Sequence, residues 1–168
     1  MINWMYFPKN HPLDDTSRQV VKAFQNIASE VDSDTHHYKS DEVLAVVRPG
    51  LEAIRFEVEK SKRSEDLVAV PVLYGMNGKI EKSFEADGYL PAAGYVVEVE
   101  AGRGVVNYQF LKDFFEACTM VGVEKLCIAV RNTYKSSNDF EKVCRFFEAM
   151  YASGRLGIPL SGLLVIGY

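Results

Sequence analysis

No CxxC pair, no apolar run of membrane-spanning length and no internal repeat occurs in these 168 residues. The three cysteines, Cys118, Cys127 and Cys144, are odd in number and far apart. That argues against a disulfide framework and against a structural zinc site. They read as reduced, buried residues of a cytoplasmic protein. A bilayer core needs roughly 20 consecutive apolar residues, and no segment supplies them, so no membrane partner is expected. Met1 to Lys9 lacks the basic start and continuous apolar core of a signal peptide. Basic residues are also scarce: 19 Lys and Arg against 23 Asp and Glu give a net charge of -4. Bulk phosphate neutralisation is therefore a poor basis for binding nucleic acid, although a locally basic groove is compatible with this balance. The three histidines all precede residue 40, away from every cysteine, so no Cys-His or Ser-His-Asp arrangement can be assembled. His36 and His37 are adjacent and would point apart on any regular element, which reads as a solvated loop.

What is present is ordinary globular composition, 48% apolar and 25% charged, enough for one domain over residues 1–168 with a sizeable core. The opening MINWMYFPKNHP, with the residue that follows, predicts an aromatic arm (1–13) packed on the body or in a subunit interface. Asp14, Asp15 and Thr16 offer an N-cap for a helix to about Glu30, with Val20, Val21, Phe24 and Ile27 as its apolar stripe. A helical turn over Asp41–Val47 should break at Arg48-Pro49-Gly50. A second helix then runs to about Lys60, with Leu51, Ile54 and Val58 inward and Glu52, Arg55 and Glu59 along one flank. KSKRSED (60–66) is a charged surface turn. LVAVPVLYG (67–75), Ile80–Leu90 and Tyr95–Ala101 form a meander of three strands, with a turn at Asn77-Gly78. Val106–Val121 is helical, with Phe110, Leu111, Phe114, Phe115, Cys118 and Val121 on its apolar face. KLCIAVR (125–131) has the unbroken apolar pattern of a strand buried on both faces. A helix over Asn138–Tyr151 and a strand over 162–168 close the chain. The predicted class is α/β: a mixed central sheet with a three-stranded meander, flanked by helices.

The meander carries an unusual density of acids. Residues two apart in a strand share a face. Val96, Glu98 and Glu100 therefore point one way and Tyr95, Val97 and Val99 the other. If Pro91-Ala92-Ala93-Gly94 is a four-residue hairpin loop, residues whose numbers sum to 185 are opposite. Glu85 then faces Glu100, and Asp87 faces Glu98. Like charges directly opposite on a sheet are destabilising. Water, raised pKa values or cations must offset them. Hard divalent ions such as Mg²⁺ prefer carboxylate oxygens. From the pattern alone two readings stay open: a bound ion, or the solvated outer face of an antiparallel sheet.

These residues resemble the signature of the PD-(D/E)XK, restriction-endonuclease-like nuclease superfamily. Asp87 matches its first acid and Glu98 its second. Glu100 stands where a lysine is usual, an acid-x-acid variant similar to that of BamHI-type restriction enzymes. The resemblance covers about two thirds of the chain and implies a restriction-endonuclease-like core. It also implies a DNA partner and metal-dependent phosphodiester hydrolysis, with Mg²⁺ as the cofactor and Mn²⁺ as a substitute. Asp87, Glu98 and Glu100 would be catalytic, and Asp87, Glu98, Glu52 and Glu85 would supply the metal shell, with Glu59 and Glu57 as weaker choices for the helix glutamate. Arg103, Arg131 and Lys135 are the candidate phosphate contacts, and the helix N-terminus at Asn107 and Tyr108 would favour an anion. A small acidic enzyme of this kind would need a recognition surface, a homodimer or a partner subunit. The alternatives are a catalytically inactive nuclease-fold subunit and an acidic interaction protein that binds a basic partner.

Overall fold

The computed structural model describes residues 1–102 and 104–168. Its strands are β1 (Asn3–Phe7), β2 (Glu57–Val58), β3 (Val68–Tyr74), β4 (Ile80–Ala86), β5 (Gly88–Leu90), β6 (Tyr95–Val99), β7 (Lys125–Val130), β8 (Thr133–Tyr134), β9 (Ser137–Asn138) and β10 (Gly162–Gly167). Its α-helices are α1 (Asp15–Asn26), α2 (Ala28–Val31), α3 (Ser40–Ala53), α4 (Gln109–Thr119) and α5 (Asp139–Ser153). Six strands form one mixed sheet in the order β1-β10-β7-β6-β5-β2. β6, β7 and β10 run parallel in its centre, and antiparallel strands flank them.

The parallel centre follows from the two crossovers through α4 and α5, since parallel strands need a long connection that covers a face. Both faces of β7 are consequently buried. Leu126, Ile128 and Val130 join the core that contains Phe110, Phe114 and Phe147. Cys127 and Ala129 join the opposite core, with Val20, Phe24, Leu44 and Leu51 from α1 and α3. The expected α/β class with a mixed sheet between helices is what the chain forms. Cys127 and Cys144 are buried, Cys118 is partly exposed, and all three are free thiols. No helix among the described residues is long and apolar enough to cross a membrane.

Three sequence expectations are corrected. Residues Asn3–Phe7 are an edge strand paired antiparallel with β10, where an aromatic arm was expected. Alternation decides it: the successive residues Tyr6 and Phe7 are buried in opposite cores. The predicted break at Pro49 does not occur, and α3 runs unbroken from Ser40 to Ala53. An interior proline removes one helical hydrogen bond. Burial of Val43, Leu44, Val47 and Leu51 outweighs that loss. Gly50 belongs to the same contact, because a Cβ there would sit 3.0 Å from the Cβ of Ala23. The helix ends at Ala53 and Arg55 adopts a left-handed φ of 73°. Glu57 and Glu59 therefore leave the helix predicted for them, and Glu59 the flank it shared with Glu52.

The third correction concerns the meander. Ile80–Leu90 is interrupted at Asp87. β4 pairs with β3 in a separate hairpin, whereas β5 joins the main sheet between β2 and β6. The predicted register holds over the strand pair that reaches the acids: Gly88 is opposite Val97, Tyr89 opposite Val96 and Leu90 opposite Tyr95. Pro91–Ala93 form the tight turn, and Gly94 closes it at a left-handed φ of 54°. Its carbonyl accepts the N–H groups of Glu124 (2.8 Å) and Lys125 (3.0 Å), which locks the turn to the start of β7.

Gly94→Ala tests that lock. A Cβ there would lie 2.2 Å from the carbonyl oxygen of Gly122 on an already left-handed backbone. The expected loss is about 1–3 kcal/mol from strain at such a site, read from urea unfolding. The same substitution at Gly102, also left-handed but with open space around it, should cost less.

A candidate acidic active site at the strand break

The break at Asp87 and the last residues of β6 open into one cleft of about 200 Å³. The Asp87 backbone carbonyl accepts the Glu59 N–H at 2.8 Å. Its side-chain Oδ2 accepts the Val99 N–H, also at 2.8 Å. The carboxylate thus takes the ladder position that a backbone carbonyl would have occupied had the strand continued. Beside it, Glu98 follows Val96 on the α4 side of β6. One residue past the strand, the Glu100 N–H donates to the Ala129 carbonyl at 2.8 Å, and the Tyr168 hydroxyl donates to the Glu100 carbonyl at 2.8 Å. These bonds fix the backbone from which the acids project.

A fourth acid comes from α4. Asp113 is 6% exposed and lines the cleft with Asp87, Glu98 and Glu100. Phe110, Asp113, Phe114 and Ala117 are the buried residues of this helix, at the spacing of an inward-facing stripe. A carboxylate in such a stripe is a sequence signal that the apolar residues alone conceal. Its Oδ2 is buried with no hydrogen-bond partner among the described residues.

Burial and mutual repulsion push these acids in one direction. Asp87 is raised to about 6, by burial first. Glu100 is raised to about 8, by burial and then by Asp113. Glu98 is held well above the ordinary carboxylate range by burial and by Asp87 and Asp113. Asp113 is raised chiefly by burial. The four cannot all ionise in this space without added positive charge. Two lysines stand at the margin. Lys62 Nζ lies 2.5 Å from Glu59 Oε1 and 3.7 Å from Asp41 Oδ1. Lys112 Nζ lies 3.3 Å from Glu116 Oε2.

The remaining sequence candidates are distributed as follows. Glu85 is exposed, pairs with Ala69 in the hairpin and reaches the cleft mouth. It does not face Glu100, because β4 has by then left the main sheet. Glu59 lines the cleft although Glu57 does not. Glu52 is exposed on α3 and lines a different recess, with Glu57 and Lys60, which removes it from the acid cluster. Arg131 is buried, donates to the Tyr38 carbonyl and lies over the Tyr134 ring. Lys135 sits over the same ring. Neither lines the acid cleft. Arg103 lies outside the described residues. The helix expected from Val106 begins at Gln109, which does line the cleft.

The donor set consists of hard carboxylate oxygens, one of them a buried oxygen lacking a donor, and that chemistry suits Mg²⁺ or Mn²⁺. Among the described residues, no three His, Cys, Asp or Glu side chains already stand at ligand distance around one point. Compared with protein-family models, curated proteins and solved structures, the chain matches none.

The raised acids set a pH dependence of stability. A carboxyl whose folded value lies above its unfolded value binds more protons when folded. Its contribution is complete below the unfolded value, near 4, and is lost as pH rises through the folded values of about 6 and about 8. Asp14, lowered to about 2, stabilises throughout this window and loses its contribution only at more acid pH. In metal-free buffer the melting temperature should therefore fall between pH 5 and pH 8.5. Glu100→Gln should flatten that fall and raise the melting temperature at the alkaline end. An unchanged profile in the variant would contradict the placement of Glu100 in the cluster.

Proposed function

We propose that the protein is a metal-dependent nuclease that hydrolyses phosphodiester bonds in DNA through the cleft at Asp87, Glu98, Glu100 and Asp113. One observation carries the reading. Four carboxyl groups line one cleft at the end of a parallel strand pair, Asp113 buried and the other three partly buried, with raised pKa values, and a cation would relieve their repulsion. The arrangement of the two acids supports it: Asp87 immediately precedes β5, Glu98 lies on β6, which pairs antiparallel with β5, and both line the cleft.

Asp87 and Glu98 would hold the divalent ion. When bound, that ion supplies Lewis-acid stabilisation of the phosphate and lowers the pKa of water. Glu100 stands where the resembled family places a lysine, and it plays a different part here. Its carboxyl, held up to about 8 by burial and by Asp113, carries a proton at neutral pH and would accept one from water only at alkaline pH. It cannot supply positive charge. Lys112 and Lys62, which line the same cleft, are the cations in position to meet an anionic substrate.

A second reading rests on a specific observation. The acids do not converge in threes, and the usual lysine position holds an acid. Both would suit a nuclease-fold subunit that has lost catalysis, or an acidic surface for a basic partner.

The experiment is cleavage of supercoiled plasmid, and separately of single-stranded DNA, with Mg²⁺ or Mn²⁺. Wild type should cut only with the ion. Glu98→Gln should lose at least about 100-fold, because the ion is worth several kcal/mol in the transition state and each 1.36 kcal/mol is tenfold. Under the same reading, Mg²⁺ at 100 times its dissociation constant stabilises the wild type by about 2.7 kcal/mol and the variant by less. Cutting that survives in Glu98→Gln would sink the assignment. Absence of both cutting and metal stabilisation would favour the second reading.

A further inference from the structure

The acid cleft shares a wall with a second recess of opposite character. This recess, of about 230 Å³, is lined by Arg48 of α3 and by Lys60, Ser61 and Lys62 of the charged turn that follows β2. Asp41, Glu59 and Lys62 line both cavities. Three cations therefore face two carboxylates here, against two cations and eight carboxylates in the acid cleft.

The three cations are not equally engaged. Lys62 is held by Glu59 at 2.5 Å and by Asp41 at 3.7 Å. Arg48 makes no carboxylate pair among the described residues. Its Nη2 donates to the backbone carbonyls of Glu59 (3.0 Å) and Lys60 (3.5 Å), which straps the turn onto α3. Its Nε–H is buried and has no acceptor among the described residues. Lys60 is exposed and enters no ion pair among the described residues. A guanidinium that meets only backbone carbonyls and an exposed ammonium without an ion pair among the described residues line one recess, a pairing suited to an oxyanion with several acceptor oxygens.

We propose that this recess is a phosphate subsite, holding the phosphodiester next to the one at the acid cleft on the same nucleic-acid strand. The identity of that strand rests on the nuclease reading; the phosphate chemistry of the recess does not. On this arrangement one phosphate meets the acids together with a cation, and its neighbour meets Arg48 and Lys60 directly. The preferred substrate is then a polynucleotide, since a mononucleotide fills only one of the two positions.

Two measurements on the full chain test this. In the first, ¹⁵N-labelled protein is titrated with inorganic phosphate and followed by NMR. The Arg48 Nε–H resonance and the amides of Ser61 and Lys62 should shift saturably, and Lys60→Glu should weaken that response several-fold while leaving the rest of the spectrum in place. No shift at these groups, or shifts only elsewhere, overturns the subsite. In the second, a short end-labelled single-stranded DNA is bound in Ca²⁺ and its affinity is measured against salt. Lys60→Gln should weaken binding several-fold and reduce the slope of log affinity against log salt by about 0.7, the effect of one lost phosphate contact. An unchanged slope overturns the strand assignment and leaves a site for a small phosphate ester. If the wild type binds no DNA but the phosphate shifts saturate, the nuclease reading falls and the subsite stands.

Discussion

Like charges confined to one small space are the constraint around which this molecule is arranged. Asp87, Glu98, Glu100 and Asp113 occupy a cleft of about 200 Å³, and none is placed there by accident of a loop. Asp87 is pinned by the Val99 N–H, Glu98 stands on a central strand, Glu100 is anchored through its backbone to β7 and Tyr168, and Asp113 lies in the buried stripe of α4. A sheet built only for stability would fill those positions with apolar side chains, because four desolvated acids subtract from folding free energy at neutral pH. The surrounding cores, on both faces of β7, are what allow the fold to tolerate them.

The distribution of positive charge follows from the same constraint. Glu100 adds an acid to the cleft and no positive charge. The lysines near the acids come from other elements, Lys62 from the turn after β2 and Lys112 from α4. Glu100 and Asp113 line the same cleft, and burial holds both carboxyls above their ordinary range, with Asp113 raising Glu100 further. The turn that carries Lys62 is in turn strapped to α3 by Arg48, so both cavities hang on a single segment of chain.

Much of this arrangement was legible in the sequence, for identifiable reasons. Period-2 alternation placed Glu98 and Glu100 on the face opposite Tyr95, Val97 and Val99, and the four-residue loop set the register that Gly88, Tyr89 and Leu90 adopt. The unbroken apolar run of β7 announced a strand covered on both sides. What stayed hidden depended on tertiary contacts. Nothing local marks the departure of β4 into its own hairpin at Asp87. Pro49 reads as a break until Val43, Leu44, Val47 and Leu51 are seen to hold the helix together. Glu52 shared a helical flank with Glu59 on paper, and the turn at Arg55 separates them in space. Asp113 carried a readable signal, an acid in line with Phe110, Phe114 and Ala117, which a search confined to the strand motif passes over.

The shape of the cluster bears on what could neutralise it. A protein that offers acids to a basic partner gains most when they stand on a convex or flat surface, where long Lys and Arg side chains can reach each one and remain partly hydrated. Here the acids are recessed, and Asp113 is almost fully enclosed. A guanidinium entering the cleft would have to shed its own hydration and pass Lys62 and Lys112 at the margin. A small divalent ion carries twice the charge in a fraction of the volume and accepts oxygen ligands from several directions. Small rotations of Asp87 and Glu98 toward such an ion would also lower the pKa of each, so binding and ionisation reinforce one another. The enclosed geometry therefore weighs toward a cation as the natural occupant, with a basic protein partner the less economical solution for the same four charges.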